Sequence, residues 1–302
     1  MKILKVIFFM LVLTLSAPAF ADLNVFACEP HWSALVQEIG GTHVTVTTAT
    51  GAYNNPHYIQ PKPSLIAAMR RADLVVCNGG DMEVGWLPPL LQQGGRDAVQ
   101  PGQPGYLDAS QFVQMLEVPA TVDRAQGDIH PYGNPHYQSD PRTVAAAAPE
   151  VAKRMEQLDP ANAAEYQKRY VDFKARFDAA IQKWQQEAAP LKGMKIIAYH
   201  DGWANMTAWL GLDVVGFLEP KPGIPPSPGH MAELLNQIKG EGVAGIIYSP
   251  YEDEQAPDWM AERAGIPKVM IADTVGADND KDLFQFYEQV ITQLLKLHGG
   301  GK

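Results

Sequence analysis

Short apolar runs and segments of helical spacing alternate along the chain. The alternation is interrupted once, where Tyr166, Tyr170, Phe173, Phe177, Ala180 and Trp184 recur at steps of three and four. Between Asp159-Pro160, a good helix start, and Pro190, this spacing predicts one helix spanning roughly 43 Å at a rise of 1.5 Å per residue. An aromatic stripe of this kind is a packing face, so the helix reads as a rigid strut and not a flexible linker. On both sides of it strands and helices alternate, which predicts parallel sheets covered by helices. The fold class is therefore α/β: two Rossmann-like lobes joined by one long rigid helix. The first lobe covers residues 22–145, the helical connection 146–190 and the second lobe 191–302.

In the first lobe, strands are predicted at Leu23 to Ala27, Val44 to Thr50 and Ala72 to Val76, with weaker signals between Asp97 and Leu116. Helices are predicted at Trp32 to Ile39, Pro63 to Arg71 and Val84 to Gln92. In the second lobe, Met194 to Tyr199, Val214 to Leu218, Gly245 to Tyr248 and Lys268 to Ala272 read as strands. Trp203 to Leu210, Met231 to Gly240, Pro257 to Ala264 and Asp282 to Leu297 read as helices. Ligands of such sheets gather beyond the carboxyl ends of the strands.

The 302 residues are 46% apolar and 19% charged, a globular composition with ample core material. Met1 to Ala21 has two lysines near its start, the apolar run Val6 to Leu15, and Ala19 and Ala21 flanking Phe20. This is the pattern of a cleavable secretory signal, with Asp22 as the mature N-terminus. The formal charge of -10 becomes more negative when Lys2 and Lys5 leave with the signal, which argues against nucleic acid as a partner. In the periplasm that such a signal implies, Cys28 and Cys77 are expected to pair as a disulfide. Thiolate ligation of a metal is the competing reading, and no Cys-x-x-Cys spacing supports it.

Asn-Pro-His-Tyr occurs twice, at Asn55 to Tyr58 and at Asn134 to Tyr137. Each copy lies where Gly, Asn and Pro crowd together, so proline fixes the backbone just before an imidazole carried on a loop. His200 and Asp273 each follow a predicted strand. Four such groups make a candidate metal site: His57, His136, His200 and Asp273. The segment Pro119 to Pro135, with His130, reads as a mobile surface loop. His31 is expected as a surface residue at a helix start, His43 in an exposed phase of a β-run, His230 after a breaker-rich stretch and His298 in the terminal tail.

Pro56-His57-Tyr58-Ile59-Gln60-Pro61, Asn134 to Pro141, His200-Asp201-Gly202-Trp203-Ala204 and Asp273-Thr274-Val275-Gly276 resemble, in order, four ligand motifs. They are those of the substrate-binding proteins of bacterial zinc and manganese ABC importers. The resemblance implies a metal site in the cleft between the lobes, a divalent metal ion and a membrane permease as partners, and a monomer. Asn replaces the usual Asp before proline at positions 55 and 134, Tyr137 stands where Trp is common, and Thr274 replaces the usual Pro. The long His-rich loop of many zinc members is reduced to His130, so a separate periplasmic metallochaperone is a candidate supplier.

Four protein ligands close a metal site, whereas a zinc hydrolase keeps a position open for water, and no His-Glu-x-x-His helix occurs. A carrier is expected, not an enzyme; a metal-free scaffold or adhesin is a third possibility. Three imidazoles and a carboxylate favour Zn2+, with Mn2+ as the alternative. Neutral imidazoles are required for coordination, so affinity is expected to fall as pH drops below about 6.5.

Overall fold

A computed structural model describes residues 22–277 and 280–299; the segment Met1 to Ala21, expected as a secretory signal, lies outside the described residues. The first lobe is built on β1 (Leu23–Ala27), β2 (Val44–Thr48), β3 (Leu74–Cys77) and β4 (Tyr106–Asp108). The second is built on β5 (Lys195–Ala198), β6 (Asp213–Phe217), β7 (Gly245–Tyr248) and β8 (Lys268–Met270). All pairings are parallel, in the orders β2-β1-β3-β4 and β6-β5-β7-β8. The two lobes thus share one topology. In each, the chain leaves the first strand for one edge and returns to its other side, which opens a crevice at the carboxyl ends between β1 and β3 and between β5 and β7.

Alternate residues of the central strands enter different cores, as the period of two requires. Val25 and Ala27 face inward while Phe26 faces outward; Ile196 and Ala198 face inward while Ile197 faces outward. On the outer face of the first sheet lie α2 (Pro63–Arg71) and α3 (Leu87–Gly94). On the outer face of the second lie α7 (Pro228–Gln237) and α8 (Gln255–Ala264). The inner faces share one continuous core with α1 (Pro30–Gly40), α4 (Pro141–Leu158), α5 (Ala163–Glu187), α6 (Ala204–Leu210) and α9 (Leu283–Gly299).

The strut is α5, 25 residues long and preceded by a separate 18-residue helix, α4. The sequence stripe is its buried face: Tyr166, Phe173, Phe177 and Trp184 are all within 1% of full burial. Burying aromatic groups of this size is worth about 1.5–3 kcal/mol each, which fixes α5 against both lobes. Its polar flank also grips each lobe. Arg169 donates to the Glu38 carbonyl and Arg176 pairs with the Glu38 carboxylate in the first lobe, while Lys183 and Trp184 donate to Glu288 in the second.

Cys28 and Cys77, at the ends of neighbouring β1 and β3, form the expected disulfide, with Cα atoms 4.8 Å apart. None of the described helices is long and apolar enough to cross a membrane.

Candidate metal centre

The four residues singled out in the sequence follow the carboxyl ends of four different strands: His57 after β2, His136 after β4, His200 after β5 and Asp273 after β8. Three of them converge. One ring nitrogen of each of His57, His136 and His200 lies within 4.8 Å of the others, and the Nε2 atoms of His57 and His136 are 3.0 Å apart. Asp273, 5% exposed, stands outside that cluster, with its Oδ2 accepting from the Tyr251 hydroxyl at 3.0 Å.

The repeated motif folds the same way twice. Asn55 Oδ1 accepts from the His57 amide at 3.0 Å and Asn134 Oδ1 from the His136 amide at 3.1 Å, so each asparagine closes a side-chain turn across its proline. The tyrosines then diverge. Tyr58 is 63% exposed and bonds Asp128, whereas Tyr137 is fully buried and donates to the Asn78 carbonyl at 2.5 Å. Asparagine at 134 has a use that aspartate lacks: its Nδ2 donates to Glu117 at 2.8 Å and, across the lobe interface, to the Asp201 carbonyl at 2.9 Å.

His200 is oriented by Glu219, whose Oε2 lies 2.7 Å from Nδ1, leaving Nε2 with its lone pair for the centre. Glu219 is itself held by the Gly223 amide at 2.9 Å. Gly202 permits the close approach of two rings: a Cβ there would stand 3.2 Å from the His200 ring and 3.3 Å from that of His136.

Burial, together with the neighbouring imidazoles, keeps the His57 and His136 rings neutral. The His57 pKa is lowered to about 3 by desolvation, then by His130 and His200; His136 is held well below the usual histidine value by desolvation, then by His57, His200 and His130. Burial raises the Asp273 carboxyl to about 6. The cluster faces a cavity of about 220 Å3 lined by Glu117, Asp128, His130 and Asp201, and one of about 160 Å3 reached by Tyr58, Glu219, Tyr251 and Glu252. Both linings are acidic. A larger depression of about 620 Å3 lies beyond β3 and β4, and its lining contains no histidine.

The remaining histidines depart from expectation at several points. His31 is not a surface residue: it is fully buried, with Nδ1 2.8 Å from Thr274 Oγ1 in the other lobe. His130, read as part of a surface loop, is half-buried and stacks on His57 with ring centroids 5.1 Å apart. His43 precedes β2 in a half-buried turn instead of lying within the strand. His230, in the first turn of α7, bonds the Phe217 carbonyl at 2.9 Å. Sequence reasoning also missed Glu29 and Glu83, a buried carboxyl pair behind the first lobe's contribution. The Asn78 amide donates to both, and burial pushes Glu29 well above the carboxylate range and Glu83 to about 7. Neither residue has a local pattern that marks it, because the pairing is made by the β1–β3 neighbourhood.

Residues 25–297 match the model of the ZnuA family, "Zinc-uptake complex component A periplasmic". The high-affinity zinc uptake system protein ZnuA of Brucella abortus is 24% identical over 163 residues, 53% of this chain and 47% of that protein. The zinc-binding lipoprotein AdcA of Streptococcus pneumoniae is 22% identical over 237 residues, 76% of this chain and 46% of that protein. The chain spans about half the length of these curated relatives. A crystal structure of ZnuA superposes with a TM-score of 0.76 at 20% identity, covering 93% of this chain and all of that one, which shows a common fold. With the family model spanning nearly all of the described residues, the chain belongs to the ZnuA family.

Proposed function

We propose that the protein is a periplasmic zinc carrier that binds Zn2+ through His57, His136, His200 and Asp273 and delivers it to the permease of an ABC importer. The observation that carries this reading is the convergence of three imidazoles from three loops and both lobes, two of them, His57 and His136, held neutral by burial. Their spacing suits the ion: nitrogens about 3.3 Å apart form an edge of a tetrahedron with bonds near 2.0–2.1 Å. Glu219 supplies the carboxylate that typically orients a metal-bound imidazole. Asp273 completes the set when it turns from Tyr251 toward the histidines, and its charge balances part of the ion's. A closed four-ligand site suits capture and transport, because no coordination position is left for an activated water.

Nitrogen-rich ligation favours zinc over manganese, which prefers more oxygen donors and higher coordination. The acidic linings of the two cavities support a divalent cation as cargo, drawing it toward the cleft. The carrier acts as a monomer, and with His130 as the loop's one histidine it accepts metal either free or from a metallochaperone. The test is elemental analysis of protein purified from periplasm without added metal, followed by direct zinc–manganese competition. One equivalent of zinc and a preference for zinc are expected. Preference for manganese would overturn the metal assignment, and failure to bind any divalent ion would overturn the carrier.

A further inference from the structure

We propose that His31 and Thr274 form a latch across the lobe interface that positions Asp273 for metal retention; the proposal rests on reading Asp273 as the fourth ligand. His31 belongs to the first lobe, in the first turn of α1, yet the hydrogen-bond partner and both neighbouring rings of its side chain lie in the second. Its Nδ1 is 2.8 Å from Thr274 Oγ1, and the ring meets Phe286 edge-on at 4.6 Å and Tyr287 at 6.0 Å. This is a socket that α9 and the loop after β8 form around a histidine from the opposite lobe.

Thr274 directly follows Asp273, and three hydrogen bonds among the described residues hold the loop on either side of the carboxylate. The Ile271 amide donates to the Tyr248 carbonyl at 2.9 Å upstream, Tyr251 donates to the carboxylate itself, and the Thr274 hydroxyl bonds His31. The first two anchors belong to the second lobe. The third is a side-chain bond that ties the Asp273 backbone to the lobe carrying His57 and His136. Proline, the usual residue at this position in the motif that the chain resembles, has no hydroxyl with which to make it. The bond is fully buried, with His31 at 0% and Thr274 at 7% exposure, so water does not readily replace either partner. Movement of α1 away from α9 would pull on Thr274 and shift the carboxylate that it adjoins, which couples the lobe interface to the metal's carboxylate ligand.

The experiment measures release of zinc from the loaded full-length protein to an excess of chelator. Loss of a buried neutral hydrogen bond predicts about tenfold faster release for Thr274→Val. Thr274→Ser and His31→Asn, which keep a polar atom in place, are expected to stay within about twofold of the unmodified protein. If the latch acts through Asp273, Thr274→Val has no further effect in an Asp273→Ala background. Equal acceleration in both backgrounds means general loosening and overturns the latch. Thr274→Val releasing at the unmodified rate overturns the latch alone and leaves the ligand reading standing. An Asp273→Ala protein that releases zinc at the unmodified rate overturns the ligand reading and the latch with it. Should Thr274→Val fail to fold, His31→Phe, which keeps the edge-on aromatic packing and removes the polar atom, takes its place with the same expected acceleration.

Discussion

The two lobes share a strand order but present their proposed ligands by different means. In the first, His57 and His136 sit on long irregular loops and are held by backbone: an asparagine turn before each ring, with a disulfide and a buried carboxyl pair bracing the strands beneath. In the second, His200 and Asp273 follow their strands closely and are held by side chains, Glu219 on the imidazole and Tyr251 on the carboxylate. A ligand held by backbone turns keeps its place whatever the charge of its neighbours. A ligand held by a carboxylate or a phenol is tuned electrostatically. The first lobe is thus a fixed half-site, and the second the adjustable one.

The largest expected contrast is in stability. The Cys28–Cys77 bond closes a loop of sequence separation 49 in the first lobe, and the chain has no other cysteine. Replacing both cysteines by serine should cost about 4 kcal/mol, read by denaturant unfolding of the metal-free protein. Zinc affinity at 25 °C should stay within about twofold, since no ligand is displaced. A large loss of affinity would show that the disulfide sets the site and not only the scaffold.

Next is ligand removal. His136→Ala, measured by chelator competition, should weaken zinc more than about 100-fold, beyond the range expected for an outer partner of a ligand. Glu219→Gln keeps the shape of the second lobe's device and removes its charge, so a loss of about 10- to 100-fold is expected. Asn55→Ala, which loosens only a turn, should cost less than Glu219→Gln; the reverse order would break the distinction between the lobes.

The pH dependence separates the lobes further. His57 has a pKa of about 3 and His136 lies well below the usual value, so neither carries a proton that zinc must displace at pH 5. Asp273, raised to about 6, does. As pH falls through 6 the carboxyl is protonated in the metal-free protein, and affinity should drop by about tenfold per pH unit through this group. Calorimetry in buffers of different ionisation enthalpy should show one proton fewer released by Asp273→Asn at pH 5. An unchanged proton count would take Asp273 out of the linkage.

The smallest effect expected is that of Gly202→Ala. The added methyl would press on the His136 and His200 rings at 3.2–3.3 Å, and a few-fold loss of affinity without loss of fold is expected. Wild-type affinity would mean that the two rings can spread without cost to the site.

Much of this architecture was legible in local patterns. The strut announces itself because Tyr166, Phe173, Phe177 and Trp184 recur at helical spacing, and the strands because apolar runs alternate with breakers. The sequence also reveals the two Asn-Pro-His-Tyr loops, since proline and asparagine act within a few residues of the imidazole they present. Element limits shifted where local signals compete. Val44 to Thr50 was expected as strand and β2 stops at Thr48; the helical part before Asp159, for which no separate helix was delimited, is α4, whose interior Pro149 obscures its periodicity.

Tertiary structure alone decided what depends on groups distant in the chain. His31 reads as a helix-start surface residue, and only the packing of α1 against α9 buries it beside Thr274, 243 positions away. The pairing of Glu219 with His200 and of Tyr251 with Asp273 arises because neighbouring parallel strands bring their carboxyl ends together whatever their separation in sequence, and that of Asn134 with Asp201 because the two lobes meet there. The neutrality of the buried imidazoles is likewise a property of the closed cleft, because desolvation acts on a side chain only after the chain has folded around it.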